Sequence, residues 1–406
     1  MFRTDIYRRR SKTDRIILHC DLNNFFASVS LLYNQTLVNS PVAVCGSKEN
    51  RHGIVLAKNE LAKKYGVKTA EPIWQAKNKC PDLITIPPDY QKYEEFSLKA
   101  KQIYARYTDM IEPFGIDECW LDVTGSTLLF GSGEEIAERI RKEIKAELGI
   151  TVSIGVSFNK IFAKLGSDMK KPDGITVISR ENYKEKVWSQ PVETLLFVGK
   201  NTAKKLNSSG IFTIGDVTLC DDKMLQHMLG KNGLELKKYA LGEDGTVVRD
   251  MEEYTKPKSI GRSVTEGTDF TDNNSVWRTF IVLAEDIGAR LKKHGLYAGG
   301  IQVHTRDTSL KVKEFSHSFE TATDISIIIA ERAMKLFKEN YNWDLPLRSV
   351  GIRAISLKDS LTGVQQDIFR NNTQDETKEK IEESIFSIRK KFGENSIKRG
   401  RTMKKP

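Results

Sequence analysis

Apolar residues recur along this chain in two periods. Continuous or alternating runs of strand length appear at Ile16-Ile17-Leu18, Val42-Ala43-Val44-Cys45, Ile54-Val55-Leu56-Ala57 and Val152-Ser153-Ile154-Gly155-Val156. Each is bounded by polar residues or glycine, which is how strands read. Between them lie helical patterns. Ser132-Gly133-Glu134-Glu135 is a capping box, Ile136, Ile140, Ile144 and Leu148 recur every fourth residue, and Gly149 closes the segment. A helix is expected after Asp21 as far as Asn34, another over Asn59–Tyr65 ended by Gly66, and one opened by Pro72. Tyr90–Tyr107 carries a further helical pattern. From Lys258 a second α/β unit begins, with helices over Asn274–Lys293 and Ile325–Glu339 and strands over Ile301–Arg306, Leu310–Phe319 and Val350–Ile355. Strands that alternate with covering helices predict an α+β chain whose first sheet is mixed or antiparallel.

Two of these strands carry acids. Asp21 ends the run Ile16–Cys20, and Phe114–Val123 contains the adjacent pair Asp117 and Glu118. A carboxylate inside an apolar strand is costly unless it reaches water at a strand end or is neutralised, commonly by a divalent cation. Three carboxylates brought together from two neighbouring strands suit a pair of Mg²⁺ ions. Adjacent residues on a regular strand point to opposite faces, so Asp117 and Glu118 share a site only at a turn, a bulge or a strand end.

Composition narrows the class. At 406 residues, two to four domains are expected. No apolar run approaches the ~18 residues of a membrane span, and Met1–Arg15 lacks the apolar core of a secretory signal. The five cysteines contain no Cys-x-x-Cys pair, which argues against a zinc site or disulfide framework and fits a reducing cytoplasm. The net charge of +10 suits a phosphate-backbone partner. Ser157–Pro172 is a lysine-studded helix, which by itself reads as a solvated basic face.

With these motifs in order from about Arg15 to about Leu357, the chain resembles the Y-family DNA polymerases, the translesion enzymes, and among them the bacterial polymerase IV class. The resemblance implies a right-hand architecture: a basic extension (1–14), a palm (15–24 and 89–178), fingers (25–88), a helical thumb (179–246), a linker (247–257), a four-stranded little finger (258–360) and a flexible tail (361–406). It implies template-directed addition of deoxynucleotides to a primer 3′-hydroxyl, specialised for low-fidelity synthesis past damaged bases. Two Mg²⁺ ions would be held by Asp21, Asp117, Glu118 and the Leu22 carbonyl. Phe26 corresponds to the steric gate against ribonucleotides, while Phe25, its neighbour about 100° away on the helix, packs in the core beside the nucleotide site. Lys171, directly before Pro172, matches the family's triphosphate-contacting lysine, with Lys160 and Lys164 as a general positive field. In the thumb, Val198–Leu206 resembles a helix-hairpin-helix in which Gly199 and Lys200 meet a phosphate; Met228–Gly233 is a second turn of that kind. Lys258, Arg262 and Arg306 are the little finger's candidate DNA contacts, and Gln365, Ile368 and Phe369 resemble a sliding-clamp motif. The implied partners are primer-template DNA, deoxynucleoside triphosphates and the clamp, bound by a monomer.

The sequence departs from that pattern at the nucleotide. Asn23 and Asn24 stand where an acid and often an aromatic or cysteine are usual, and Glu60 and Lys63 replace a triphosphate-binding tyrosine and arginine. Either Lys58 or Lys63 is then the substitute cation. Two other readings compete: a catalytically silent DNA-binding repair factor, which the three acids disfavour, and a nucleotidyl cyclase, in which the thumb, little finger and tail would have no role.

Overall fold

The computed structural model describes residues 15–46, 53–250, 257–359, 373–393, 396, 397, 399 and 400. The N-terminal extension, the Gln365-Ile368-Phe369 motif and most of the expected linker lie outside the described residues. The rest divides into two compact units, one holding 15–46 and 54–250, the other 257–359 and the described residues beyond.

In chain order the first unit comprises β1 (Ile17–Leu22), α1 (Phe25–Leu32), β2 (Val42–Cys45), β3 (Val55–Lys58), α2 (Glu60–Lys64), α3 (Ile73–Lys79), β4 (Ile84–Ile86) and α4 (Tyr90–Tyr104). There follow β5 (Ile111–Pro113), β6 (Glu118–Asp122), α5 (Thr127–Phe130), α6 (Gly133–Leu148), β7 (Val152–Ser157), α7 (Lys160–Met169) and β8 (Ile175–Ile178). Five short helices close it: α8 (Tyr183–Trp188), α9 (Lys200–Asn207), α10 (Ile214–Leu219), α11 (Asp222–Leu229) and α12 (Lys231–Ala240).

Its main sheet has the order β5-β6-β1-β7-β8, antiparallel except where β7 meets β8. β1 is central and buried along its whole length. Because strand side chains alternate, Leu18, Cys20 and Leu22 enter the core formed with α4 and α6, including Ile136, Ile140 and Ile144. Ile17, His19 and Asp21 face the opposite side, where Ser167 of α7 reaches His19 and Lys164 reaches Asp21. The capping box at Ser132 is present, and Gly149 takes φ 67° at the end of α6. Gly155 lets α7 sit hard against β7. A Cβ there would fall 1.9 Å from the Ala163 carbonyl oxygen, a clash no rotamer can relieve.

A smaller sheet, β3-β2-β4, pairs β2 antiparallel with β3 and parallel with β4. It packs with α2 and α3 around Ala43, Val55, Ala62 and Ile73.

The second unit contains β9 (Ile260–Phe270), α13 (Asn273–His294), β10 (Ala298–Asp307), β11 (Val312–Thr323), α14 (Ser326–Asn340), β12 (Leu347–Ile355) and α15 (Thr373–Phe392). Its four strands form an antiparallel sheet in the order β11-β10-β12-β9. Two helices, α13 and α14, bury Phe280, Ile287, Ile329 and Phe337 against Ile301, Val303 and Ile352. The tail is polar and reads as mostly disordered, with a helical period over Ile381–Phe392; the structure extends that helix to Thr373–Phe392 and ties it to this unit. Arg389 pairs with Glu285 at 3.0 Å, Lys378 with Glu331 at 2.9 Å, and Glu382 hydrogen-bonds Ser326. These partners lie in α13 and α14, too distant in sequence for local composition to signal them.

Candidate active site

The register of β1 with β6 sets Asp21 directly opposite Glu118. Asp117 lies just before β6, in the turn that follows Phe114, so the two adjacent acids escape the alternation of a regular strand at a strand end. Leu22 N–H donates to the Asp117 carbonyl at 3.0 Å, holding that turn against the end of β1. Asp21, Asp117 and Glu118 share one cavity of about 280 Å³ with Leu22, Phe25, Phe26, Lys58 and Lys171.

Three charged groups of α7 and the segment after it decide the electrostatics. Lys171 Nζ donates to Asp21 Oδ2 at 2.7 Å and pairs with Asp168 at 2.8 Å. Lys164 Nζ lies 3.3 Å from Asp21 and 3.1 Å from Glu118. Burial works against both ammonium charges, but the surrounding carboxylates outweigh it and raise the lysine pKa values. Burial raises Asp21 despite the two lysines. Asp117 rises to about 6, first through burial and then through the charges of Asp21 and Glu118. Glu118 goes the other way: burial pushes it up, but His19 and Lys164 outweigh this and hold it at about 2. His19 itself, fully buried, is pushed down to about 4 and is neutral at working pH. Its Nε2 faces Glu118 Oε2 at 3.4 Å and its Nδ1 lies 2.9 Å from Ser167 Oγ. His19 escaped the sequence reading. The signal was available, since a residue two before Asp21 on a strand must share its face.

Lys160 requires a correction. It does not join Lys164 as part of a positive field over the site: its Nζ donates to Glu112 Oε1 at 2.7 Å and lies 4.4 Å from the Trp120 ring centroid, with both ion-pair partners buried. Glu112 sits on β5, 48 residues away, so no local pattern announces the pair.

The two phenylalanines separate as helical geometry requires. Phe25 is buried to 3% and contributes to the core, its edge closing the cavity wall. Phe26 is half-buried; its ring stacks on Tyr93 at 4.1 Å and 9° and meets Tyr90 edge-on at 5.9 Å. Tyr93, fully buried on α4, thus fixes the plane of the Phe26 ring, and the sequence reading missed it.

The unusual asparagines have local explanations. Asn23 Nδ2 donates to Ser153 Oγ at 2.9 Å, and its Oδ1 accepts from Thr151 Oγ1 and the Asp173 N–H. A carboxylate could not make the first of these bonds. Asn24 takes φ 47° at the start of α1, a left-handed conformation asparagine tolerates. Its Nδ2 donates to Glu60 Oε1 at 2.8 Å. Lys63 also reaches Glu60, at 3.4 Å, and is not among the residues lining the cavity, whereas Lys58 is.

The expected DNA contacts lie on separate elements. Gly199 stands at the N-terminus of α9 with open space where a Cβ would go, and Lys200 begins that helix, exposed. A second turn at Gly230, φ 64°, joins α11 to α12. In the second unit Arg306 alternates with buried Thr305 and shares the uncovered sheet face with Gln302 and His304. Lys258 is exposed just before β9. Arg262 is placed otherwise: on the edge strand beside α13, with its guanidinium 3.2 Å from Asp286.

Among the described residues no three acid, histidine or cysteine side chains already converge as a metal cage. The donor set nonetheless fits hard divalent cations. It consists of carboxylate oxygens, one of them on an acid raised by burial and then by its like-charged neighbours.

Comparison with known proteins agrees with this geometry. The impB/mucB/samB family matches residues 20–168, and that family's C-terminal domain matches residues 257–368. A DNA polymerase IV of Acetivibrio thermocellus is 48% identical over 386 residues, covering 95% of this chain and 97% of that protein. DNA polymerase IV 1 of Bacillus subtilis is 36% identical over 392 residues, covering 96% and 94%. A solved Y-family DNA polymerase chimera superposes with a TM-score of 0.76 at 25% identity, over 85% of this chain and all of that one.

Proposed function

Because the chain belongs to the Y-family DNA polymerases, in the DNA polymerase IV class, we propose that the cavity beside β1 and β6 performs its nucleotidyl transfer with two divalent ions and admits damaged templates at the expense of fidelity. Membership in that class makes the chain a DNA-directed DNA polymerase that supports translesion synthesis. The cyclase and silent-factor readings lapse with it. The observation that carries the mechanistic part is the meeting of Asp21, Asp117 and Glu118 with Phe26 and Lys171 in one cavity.

Asp21, Asp117, Glu118 and the Leu22 carbonyl would hold the ions, which when bound lower the pKa of a primer hydroxyl and neutralise phosphate charge. The protein's own groups do the rest. His19, fixed by Ser167, packs its buried ring behind Glu118. Lys171, in the turn after α7, is bonded to Asp21 and supplies positive charge to an incoming triphosphate. Phe26, held flat on Tyr93, fills the space a 2′-hydroxyl would need. Small or flexible side chains at Leu56, Ala57 and Thr69 border the same cavity and leave room for an imperfect base pair. The uncovered face bearing Gln302, His304 and Arg306, and the helix start at Gly199, suit phosphate contacts that ignore sequence. No helix of the described residues is long and apolar enough to cross a membrane.

Primer extension with Mg²⁺ tests the mechanism. Asp21→Ala, Asp117→Ala and Glu118→Ala should each abolish extension while primer-template binding persists. Substantial Mg²⁺-dependent activity in any one of them removes that residue from the site.

A further inference from the structure

We propose that Lys58 is the residue through which the fingers grip the triphosphate, in place of the pair at positions 60 and 63. This rests on the reading of the cavity as the nucleotide site. Three observations converge on it. First, Glu60 is already engaged. It accepts from Asn24 Nδ2 at 2.8 Å and faces Lys63 Nζ at 3.4 Å, so the first turn of α2 is braced to the start of α1. A carboxylate repels phosphate, and Lys63 spends its charge on that carboxylate. Second, Lys58, the last residue of β3, lines the cavity with Asp117, Glu118 and Lys171. Its Nζ donates to Thr69 Oγ1 at 2.9 Å, a neutral partner that aims the ammonium without neutralising it. Third, the cavity is rich in carboxylates, and the cations on the α7 side, Lys164 and Lys171, are both bonded to Asp21. A polyphosphate approaching those acids needs positive charge from the fingers side, and Lys58 alone among the lining residues supplies it there.

The chemistry is that of a point cation against a polyanion: a charge-assisted hydrogen bond from one of the two donors that remain once Thr69 is satisfied. Partial burial lowers the Lys58 pKa, aided by the charge of Lys63, so an arriving phosphate relieves an existing strain on its ammonium form. The Asn24–Glu60 brace takes over the other duty of the fingers helix, holding α2 against the palm. The two departures from the family pattern are therefore one device: Asn24 and Glu60 tie the helix down, and the strand before it carries the cation.

The test is single-nucleotide extension by the full chain with Mg²⁺, measuring kcat and KM for all four deoxynucleoside triphosphates. Lys58→Gln and Lys58→Met should raise KM roughly ten- to a hundredfold for all four alike, with kcat changed little and with unfolding temperature and primer-template affinity as in the parent. Lys58→Arg should restore most of the loss, and Lys63→Gln should leave KM within about twofold. Equilibrium binding of a non-hydrolysable triphosphate to the enzyme–DNA complex should weaken in parallel, a readout independent of turnover. A KM increase confined to one or two bases overturns the proposal, because Lys58 then reads a base edge. An increase in Lys63→Gln with Lys58→Gln unaffected also overturns it. Lys171→Gln separates the two levels of inference. If it raises KM while Lys58→Gln does not, only this proposal fails. If neither does, the cavity is not the triphosphate site and the reading beneath the proposal fails too.

Discussion

Asp117 carries a cost that the protein should reveal when its divalent ions are removed. Its carboxyl is raised from 3.8 to about 6 by burial and by the charges of Asp21 and Glu118. A carboxylate raised on folding destabilises the native state. The penalty is absent below the unfolded pKa, grows as pH climbs from about 4 to 6, and is complete above that. A shift from 3.8 to about 6 corresponds to about 3 kcal/mol at full strength. At pH 5 roughly half of it, about 1.6 kcal/mol, is already present. Asp117→Asn abolishes the titration and keeps the shape. With chelator present, the variant should therefore gain on the parent by a further ~1.4 kcal/mol between pH 5 and pH 7.5.

Because the chain has two units, a global melting curve would mix them. Amide hydrogen exchange over Leu18–Leu22 reports the opening of the first unit alone, since β1 is central and buried in its sheet. Comparing parent and variant at each pH cancels the intrinsic exchange rate and any constant effect of the amide. Saturating Mg²⁺ should then reverse the order, because ligand binding stabilises the parent in proportion to RT ln(1 + [L]/Kd), while the variant lacks a ligand. A parent–variant gap that stays flat from pH 5 to 7.5 would refute the claim that like-charged neighbours and burial hold Asp117 up.

Three further outcomes follow from the same geometry. Phe26→Ala should admit ribonucleotides that the parent rejects, measured as the ratio of kcat/KM for the two sugars; if Phe25→Ala does so instead, the stacking of Phe26 on Tyr93 is not the gate. Lys160→Met should leave Glu112 a buried carboxylate without its countercharge, holding only the Arg249 N–H, and cost about 3–5 kcal/mol in urea unfolding of the first unit, whereas Lys160→Met with Glu112→Gln should recover much of it; equal losses in both would mean the ion pair is not what stabilises the contact between α7 and β5. Replacing Gln365, Ile368 and Phe369 together by alanine should leave extension of short primers unchanged and remove stimulation by a loaded clamp on primed circular DNA, and equal stimulation of both proteins would show that the stretch is only a connector.

The elements were legible wherever one short window carried both the period and its punctuation. The capping box at Ser132 and the four-residue repeat of Ile136, Ile140 and Ile144 gave α6 with its ends. The acids were legible too, because a carboxylate in an apolar strand contradicts its surroundings, and the alternation rule required a turn, a bulge or a strand end at Asp117 and Glu118, where β6 in fact begins. What stayed hidden shares one property: its meaning depends on a partner far along the chain. Lys160 looked like its neighbour Lys164, one turn away, yet one pairs with Glu112 on β5 and the other with Asp21 and Glu118. Nothing in a lysine-rich helix says which ammonium will be buried; the strand order does. Likewise Asn24 and Glu60 looked like two separate losses of family chemistry, and only the 2.8 Å bond between them shows a single exchange. A departure from a family pattern is thus best judged after asking whether a second departure lies against it. At this site the paired changes leave α2 anchored and move the available positive charge from the first turns of α2 back to Lys58, the last residue of β3. An unpaired change at either position would have left a carboxylate facing phosphate, or an amide without its acceptor, and Asn24→Ala should accordingly loosen α2 and raise the nucleotide KM, although Asn24 itself carries no charge.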